Sequence, residues 1–360
     1  MSSVFAVLTV LLILVIIFQI ARASEYVSVL KGEKSSRQQS NRVNGFLMIA
    51  FLVLGLIGVY YCNELLKGKL LPRAASVQGV GIDHMMNVTL VITGTVFLIT
   101  QILLFWFAFR YRGSEKRKVF YFPHDNRLEL AWTIVPAIVM TILVGIGLKH
   151  WFELTSKAPS NAMVVEVTGH QFNWFFRYPG KDGQLGKKDY RLIDPAKANP
   201  LGQDWSDSLN NDDVISNILY LVVNKPVKLI INSQDVIHDV GLPYFRLKMD
   251  AVPGIPTSLW FTPTITTAQM AKITGDDNFT YKLVCDQLCG AGHYSMVANV
   301  VVESQAEFNA NMAQQKPQYQ IAMAAEQPTT PPDSSSAKAK EDPSGKRAGV
   351  NPRAQAISLR

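Results

Sequence analysis

Four apolar runs limit what this chain can become. They cover residues 4–20, 45–62, 88–108 and 130–148, each long enough, or nearly so, to cross a bilayer as a helix. The loops between them set the orientation. Residues 22–43 hold five Lys/Arg, residues 62–88 three and residues 110–130 six. Basic loops stay in the cytoplasm, so the first and third loops are expected inside and the second outside. Everything after residue 148 then lies on the outer face. The first run ends at Ala21-Arg22-Ala23, which imitates a signal-peptidase site. Nothing before Val4 is positively charged, and cleavage would leave three crossings with the remaining domain inside. A retained helix is the expectation.

The formal net charge of +7 is segregated along the chain. Residues 1–150 carry 15 Lys+Arg against 7 Asp+Glu, residues 151–314 carry 13 against 17, and the tail from 315 carries 7 against 4. The basic residues flank apolar segments, as membrane topology demands, so the basic balance does not argue for nucleic acid. The outer part is acidic, which suits a basic protein partner. Three cysteines exclude a disulfide framework, and no Cys-x-x-Cys-His occurs for covalent haem attachment.

After Trp151 the texture changes. Residues 163–178, 217–223, 225–233, 257–263, 279–285 and 296–304 are short β-branched and aromatic runs punctuated by Gly, Pro and Asn/Asp. Such a set predicts a sandwich or small barrel over 151–314. Residues 179–216 form a polar, Gly/Pro-rich insertion with no legible motif. From 315 to 360 the tail is Pro-, Ser-, Ala-, Lys- and Gln-rich and is expected to be disordered.

The chemistry concentrates in residues 281–296, YKLVCDQLCGAGHYSM. Cys285, Cys289, His293 and Met296 put two thiolates, an imidazole and a thioether within twelve residues. Soft ligands of this kind favour copper or an iron–sulfur cluster over magnesium or calcium. A closed structural zinc site would need a second ligand pair close by. Upstream, His238 follows a β-rich run in a first loop. With it, the set is too large for one blue-copper ion and suits two coppers bridged by both sulfurs.

These two stretches resemble the dinuclear copper (CuA) loops of subunit II of the haem–copper cytochrome c oxidases, and the resemblance runs from about Val88 to Val302. It implies a cupredoxin-like sandwich carried by the membrane hairpin of residues 63–150. Residues 1–62, an extra amino-terminal pair of helices and linker, depart from the usual two-helix membrane part. They are expected to pack against neighbouring subunits. By the likeness Cys285 and Cys289 bridge the coppers. His238 and Met296 complete one ion's shell, and His293 with the Gln287 carbonyl completes the other. Many members carry Glu where Gln287 stands and reach a magnesium ion at the subunit I interface. A neutral amide is a poorer ligand for that hard cation.

Three further stretches carry the resemblance. Glu129, three residues before the Trp of WTIVPA, matches a glutamate at the mouth of a proton pathway into subunit I, against a plain interfacial acid at a helix start. Asp250 lies in KMDAVPG, which matches K-x-D-A-x-P-G and implies a place facing subunit I. Gly169-His170-Gln171-Phe172-Asn173-Trp174 matches the aromatic segment where electrons arrive from cytochrome c. Phe172 replaces the usual exposed Trp, and Trp174 is counted in the same region with core packing as its competing role. Asp235, Asp239 and Asp286 flank the ligands as a docking surface or as solvated turn residues.

The expected function is therefore that of the electron-admitting subunit of a cytochrome c oxidase in the bacterial inner membrane, multi-pass, with its copper domain in the periplasm. The partners implied are subunit I, which carries the haem, further oxidase subunits, a c-type cytochrome and lipid. Quinol oxidases lack the copper ligands, and nitrous oxide reductase carries a large propeller absent here. A membrane-anchored copper assembly or storage protein is the remaining alternative; it would not need Glu129 or the K-x-D-A-x-P-G stretch.

Overall fold

Each apolar run sits inside a helix longer than itself. The computed structural model describes residues 2–69, 71–114, 117–118 and 120–326. Helices α1 (Ser2–Lys31), α2 (Glu33–Leu66), α3 (Val77–Arg110) and α4 (Asn126–Thr155) are long and apolar enough to cross a membrane. Their apolar flanks are exposed almost throughout, as surfaces meant for lipid or neighbouring subunits must be. α1 passes through residues 21–23 without a break. Gly32 turns the chain into α2 at φ 81°, a conformation that costs Gly little and other residues more.

Capping fixes where the hairpin helices start. The Ser76 hydroxyl accepts from Gly79 N at 2.9 Å and donates to Phe245 O at 2.8 Å, so the cap of α3 is also a bond to the outer domain. Asp125 caps α4 by accepting from the Arg127 and Leu128 amides. More contacts join helices and outer domain. Ala75 N–H donates to Tyr244 O at 2.8 Å and Val77 N–H to Thr262 O at 3.1 Å. The Arg246 guanidinium grips Asp83 with two bonds, 2.7 and 3.0 Å, the planar fork geometry that Lys lacks.

The outer domain is a sandwich of two five-stranded sheets. Its strands are β1 (Met163–His170), β2 (Asn173–Tyr178), β3 (Val214–Ser216), β4 (Ile218–Val222), β5 (Val227–Ser233), β6 (His238–Leu242), β7 (Leu247–Ala251), β8 (Thr257–Phe261), β9 (Tyr281–Cys285) and β10 (Val297–Glu303). One sheet runs β3-β2-β1-β5-β8 and the other β4-β10-β9-β6-β7. β1 pairs β5 in parallel and β10 pairs β4 in parallel, while the remaining pairs are antiparallel. Alternating residues face inward: Val165, Val167, Leu229 and Ile231 from one sheet meet Leu219, Leu221, Leu283 and Val300 from the other. Each such buried side chain contributes about 1.5–3 kcal/mol.

Each β-rich run in the sequence contains at least one of these strands, and 163–178 contains two. β3, which lies in the insertion, and β6 and β7 fall outside those runs. His238-Asp239-Val240-Gly241-Leu242 holds an Asp and a Gly, both poor strand formers, but it is central in its sheet and pairs on both sides. Helix α5 (Thr267–Thr274) starts at a capping box of Thr266 and Gln269.

The insertion is ordered by one buried cation. Arg177, 1% exposed, donates from Nε to Asp213 at 2.9 Å, from Nη1 to Glu166 at 3.1 Å, and from Nη2 to Gly186 O at 2.6 Å and Asn210 at 2.7 Å. Burial pushes the Asp213 carboxyl up although Arg177 opposes it. The expected disorder from residue 315 is corrected over its first part. After α6 (Gln305–Gln314), α7 (Gln318–Glu326) docks on the insertion: Gln318 N–H donates to Asp213 O at 2.8 Å, and Tyr319 meets Trp205 edge-to-face at 5.7 Å. Composition averaged over the tail hid the few residues that give this helix a face to bury. The rest of the tail, 327–360, lies outside the described residues.

Candidate metal centre

Neighbouring strands bring the ligands together. β6 lies between β7 and β9, with Val240 opposite Cys285. His238, two residues before Val240 and on the same face, therefore projects beyond the end of β9, where the chain leaves the sheet. The loop 286–296 returns to β10, and Cys285 N–H donates to Met296 O at 3.1 Å to close it. His238 is thus the first residue of a strand, not part of a loop as its sequence context suggests. Among the described residues, His238, Cys285 and Cys289 form a group whose ligand atoms could hold a metal ion, and all three are buried.

The remaining donors surround that group. Cys285 Sγ lies 3.9 Å from His238 Nδ1, 3.8 Å from Cys289 Sγ and 3.2 Å from the Gln287 carbonyl oxygen. Cys289 Sγ lies 3.7 Å from His293 Nδ1 and 3.8 Å from Met296 Sδ. Donors about 2.0–2.3 Å from a shared ion at a tetrahedral angle stand about 3.5–3.8 Å apart. The cluster therefore has the spacing of a metal site. Two sulfurs flanked on each side by an imidazole, with a thioether and a carbonyl, fit a pair of coppers. Burial pushes the Cys289 thiol up to about 11, aided by its hydrogen bond to Cys285 and that neighbour's charge. A metal must therefore displace its proton.

One supporting residue escaped the sequence reading as a ligand partner. Asp235 Oδ1 lies 2.8 Å from His238 Nε2, turning Nδ1 toward the sulfurs, the outer-shell carboxylate that metal-bound histidines favour. Its other oxygen accepts from Gln171 N at 2.7 Å and lies 3.2 Å from His170 Nδ1. Burial opposes its ionisation, yet the bonds from Gln171, His238 and Val236 hold its carboxyl below the usual range. Aspartate three residues before the histidine was the available signal. The proposed acidic docking trio is correspondingly reduced. Asp235 is committed to His238, and Asp239 is 1% exposed. Burial, the Asp250 carboxyl beside it and the Asp286 charge push Asp239 up to about 7, against Lys248. Only Asp286 stands exposed, with Lys248 3.8 Å away.

The aromatic segment divides. Phe172 is 38% exposed and lies over the ligand loop: a Cβ on Gly292 would stand 2.5 Å from its ring, so that close approach requires glycine. Gln171 Nε2 donates to Cys289 O at 2.6 Å. Trp174 takes the core-packing role weighed for it in the sequence and not a place where electrons arrive from outside. β2 alternates Asn173 out and Trp174 in, and the indole is fully buried with its ring 5.8 Å from that of His238. It is the floor of the site.

Asp250 sits exposed on β7 opposite Asp239. Gln287 is exposed, with only its carbonyl turned to the sulfurs. Glu129 is not brought near this centre. It lies in the first turn of α4, 3.8 Å from His124 Nδ1, and that helix runs about 45 Å before reaching the sandwich.

Comparison with known proteins agrees with this arrangement. Residues 163–305 match the family model described as the cytochrome c oxidase subunit II periplasmic domain, and residues 64–149 match its transmembrane domain. The alternative cytochrome c oxidase subunit 2 of Bradyrhizobium diazoefficiens is 37% identical over 65% of this chain and 80% of its own length. Cytochrome c oxidase subunit 2 of Cereibacter sphaeroides is 28% identical over 62% of this chain and 73% of its own. The crystal structure of the periplasmic domain of subunit II (CoxB) of Bradyrhizobium japonicum is similar at 24% identity, over 44% of this chain and 95% of that one, with a TM-score of 0.30. With both halves of the family matched in order and a close relative covered over most of its length, the chain belongs to subunit II of the haem–copper cytochrome c oxidases, a membrane-bound family of oxidoreductase subunits with a periplasmic domain.

Proposed function

We propose that this chain admits electrons one at a time from a c-type cytochrome and hands them to haem in subunit I, where oxygen is reduced to water and protons are moved. The observation that carries the reading is the convergence of Cys285, Cys289, His238, His293, Met296 and the Gln287 carbonyl at one end of a rigid sandwich. A copper pair, when bound, would spread one electron's charge over both ions, which keeps reorganisation small. The Cys285 and Cys289 thiolates, the His238 and His293 imidazoles, the Met296 thioether and the Gln287 carbonyl would hold it.

The other residues prepare the site. Asp235 fixes the His238 ring, and Trp174 closes the floor against water. Phe172, exposed and seated on the ligand loop, is the contact through which a donor's electron arrives; Leu288 and Tyr294 of that loop are exposed at 78% and 87% and add apolar surface. Asp250 faces subunit I. Glu129 collects protons at the cytoplasmic mouth of a path into subunit I. A magnesium ion at that interface would find a carbonyl here but, with Gln287, no anionic side chain from this position. The bacterial relatives favour the inner membrane as its location.

The test is Cys285→Ser in the assembled oxidase. Electron uptake from cytochrome c is lost, the haem spectra of subunit I are retained, and the copper signal of one electron shared over two ions disappears. Normal turnover in that variant rejects the reading. A wild-type signal from a single copper would favour a storage role.

A further inference from the structure

Far from the copper end, two adjoining hollows run along α2 and α3, and no step of electron or proton transfer uses them. The first is polar, about 440 Å³, lined by Glu33, Lys34, Arg37, Gln38 and Asn41 of α2 and by Gly113-Ser114 beyond α3. The second is apolar, about 430 Å³, lined by Leu47, Met48, Phe51 and Leu54 of α2 and by Phe105 of α3. Arg112 lies between them. Its guanidinium sits 4.4 Å over the Phe109 ring and donates to Phe109 O at 2.6 Å, and its aliphatic stem rests on Gly45.

The two hollows share one flank of α2. Arg37, Asn41, Met48 and Phe51 follow one another at spacings of four, seven and three, which is a single helical stripe. From Arg37 to Leu54 the helix rises about 25 Å, close to one bilayer leaflet with its headgroups, about 20–22 Å. The level also fits. Asn41 Nδ2 reaches Gly113 O at 3.3 Å, just above the ends of the apolar runs, so the polar hollow stands at headgroup depth and the apolar one within the hydrocarbon.

We propose that this flank binds one anionic phospholipid, with its phosphate held by Lys34 and Arg37 and an acyl chain laid along Met48, Phe51 and Leu54. The inference rests on the membrane reading above, which puts the α3–α4 loop in the cytoplasm. Charge selects the occupant. Among the described residues lining the polar hollow, two cations, Lys34 and Arg37, stand with one carboxylate, Glu33, which now takes Arg37 at 3.2 Å. Arginine's fork matches phosphate, and Arg37 can exchange its carboxylate partner for one. A buried apolar helix from a neighbouring subunit would fill the lower hollow and leave the cations above it unanswered. The extra helices then serve to hold lipid against the hairpin.

The test uses the purified complete oxidase, stripped of lipid in detergent. Dioleoyl-phosphatidylglycerol, dioleoyl-phosphatidylcholine or inorganic phosphate is then added, and native mass spectrometry counts what each complex retains. Phosphatidylglycerol is expected to bind at least tenfold tighter than phosphatidylcholine. The double variant Lys34→Gln/Arg37→Gln weakens it about tenfold, and Ala50→Trp, which fills the apolar hollow, abolishes it. Glu33→Gln should act in the opposite direction and tighten binding a few-fold, which a merely damaged helix cannot do. Turnover with cytochrome c stays unchanged in these variants, so loss of copper function is read separately. Equal retention of both lipids, equal binding of inorganic phosphate, or a stripped complex that takes up no lipid because another subunit covers the flank would overturn the proposal.

Discussion

Gly169→Ala tests whether the copper ligands are positioned by the sandwich or only by the metal. Gly169 closes β1 beneath the His238 ring. A Cβ there would stand 2.8 Å from His238 Cδ2 and 3.1 Å from both His238 Cγ and Trp174 Cζ3, where ordinary contact begins at 3.4 Å. The tighter of the two contacts is with the imidazole, so that ring must retreat by about 0.6 Å to reach ordinary contact. Metal sites tolerate ligand displacements of about 0.2 Å, so the shift exceeds that tolerance about threefold. It also strains the 2.8 Å bond from His238 Nε2 to Asp235. Copper affinity should fall by about 10–100-fold, and overpacking should destabilise the fold by about 1–3 kcal/mol. The assay is copper titration of the full chain in detergent against a chelator, with the paramagnetic resonance spectrum taken at saturation. An unequal distribution of the unpaired electron is expected. A variant with wild-type affinity within twofold and an unaltered hyperfine pattern would refute the argument, since it would mean the ring moves without consequence.

Replacing the positioning carboxylate, Asp235→Asn, should lower copper affinity about 10–100-fold with the fold intact, because the imidazole loses its anionic partner; chelator competition measures it, and an unchanged constant speaks against the role. Copper uptake must release the Cys289 proton, whose pKa near 11 keeps the thiol protonated at neutral pH. For that one proton, the apparent affinity should rise about tenfold per pH unit between pH 6 and 8; an indicator dye reads the release, and a pH-independent constant contradicts it. Arg177→Met leaves Asp213 buried without its cation, while Glu166 keeps Lys188 at 2.7 Å, a loss of about 3–5 kcal/mol readable in urea unfolding; a cost under about 1 kcal/mol would show that the network is solvated.

What the sequence made legible follows from the range over which each signal acts. The membrane helices were plain because an apolar run declares itself locally. Cys285, Cys289, His293 and Met296 were plain because they share one loop, and ligand chemistry constrains residue types at short spacing. His238 was found by chemistry but misplaced in a loop, since β6 is poor in strand formers and is fixed inside the sheet by β9, near in space and not in sequence. The insertion was opaque for the same reason. Its organiser, Arg177, lies outside it, and its partners Glu166, Asn210 and Asp213 are scattered. α7 was missed because its binding surface is that insertion.

The replacement of the usual Trp by Phe172 has a structural reading that separates two jobs of one residue. Two ligands, His238 and Cys285, stand at strand ends, whereas Cys289, His293 and Met296 hang on a loop that the second sheet alone does not hold. The β1–β2 turn of the first sheet braces that loop. Phe172 packs on Gly290 and Gly292, and Gln171 Nε2 bonds to Cys289 O. Bracing needs only an aromatic face and a glycine to receive it, both of which Phe provides. Meeting a donor needs an exposed, conductive contact, and the indole N–H matters only there. On the electron-entry role proposed for Phe172, this departure from the family pattern bears on the contact offered to the donor and leaves the bracing of the ligand loop to the same ring face and the Gln171 bond.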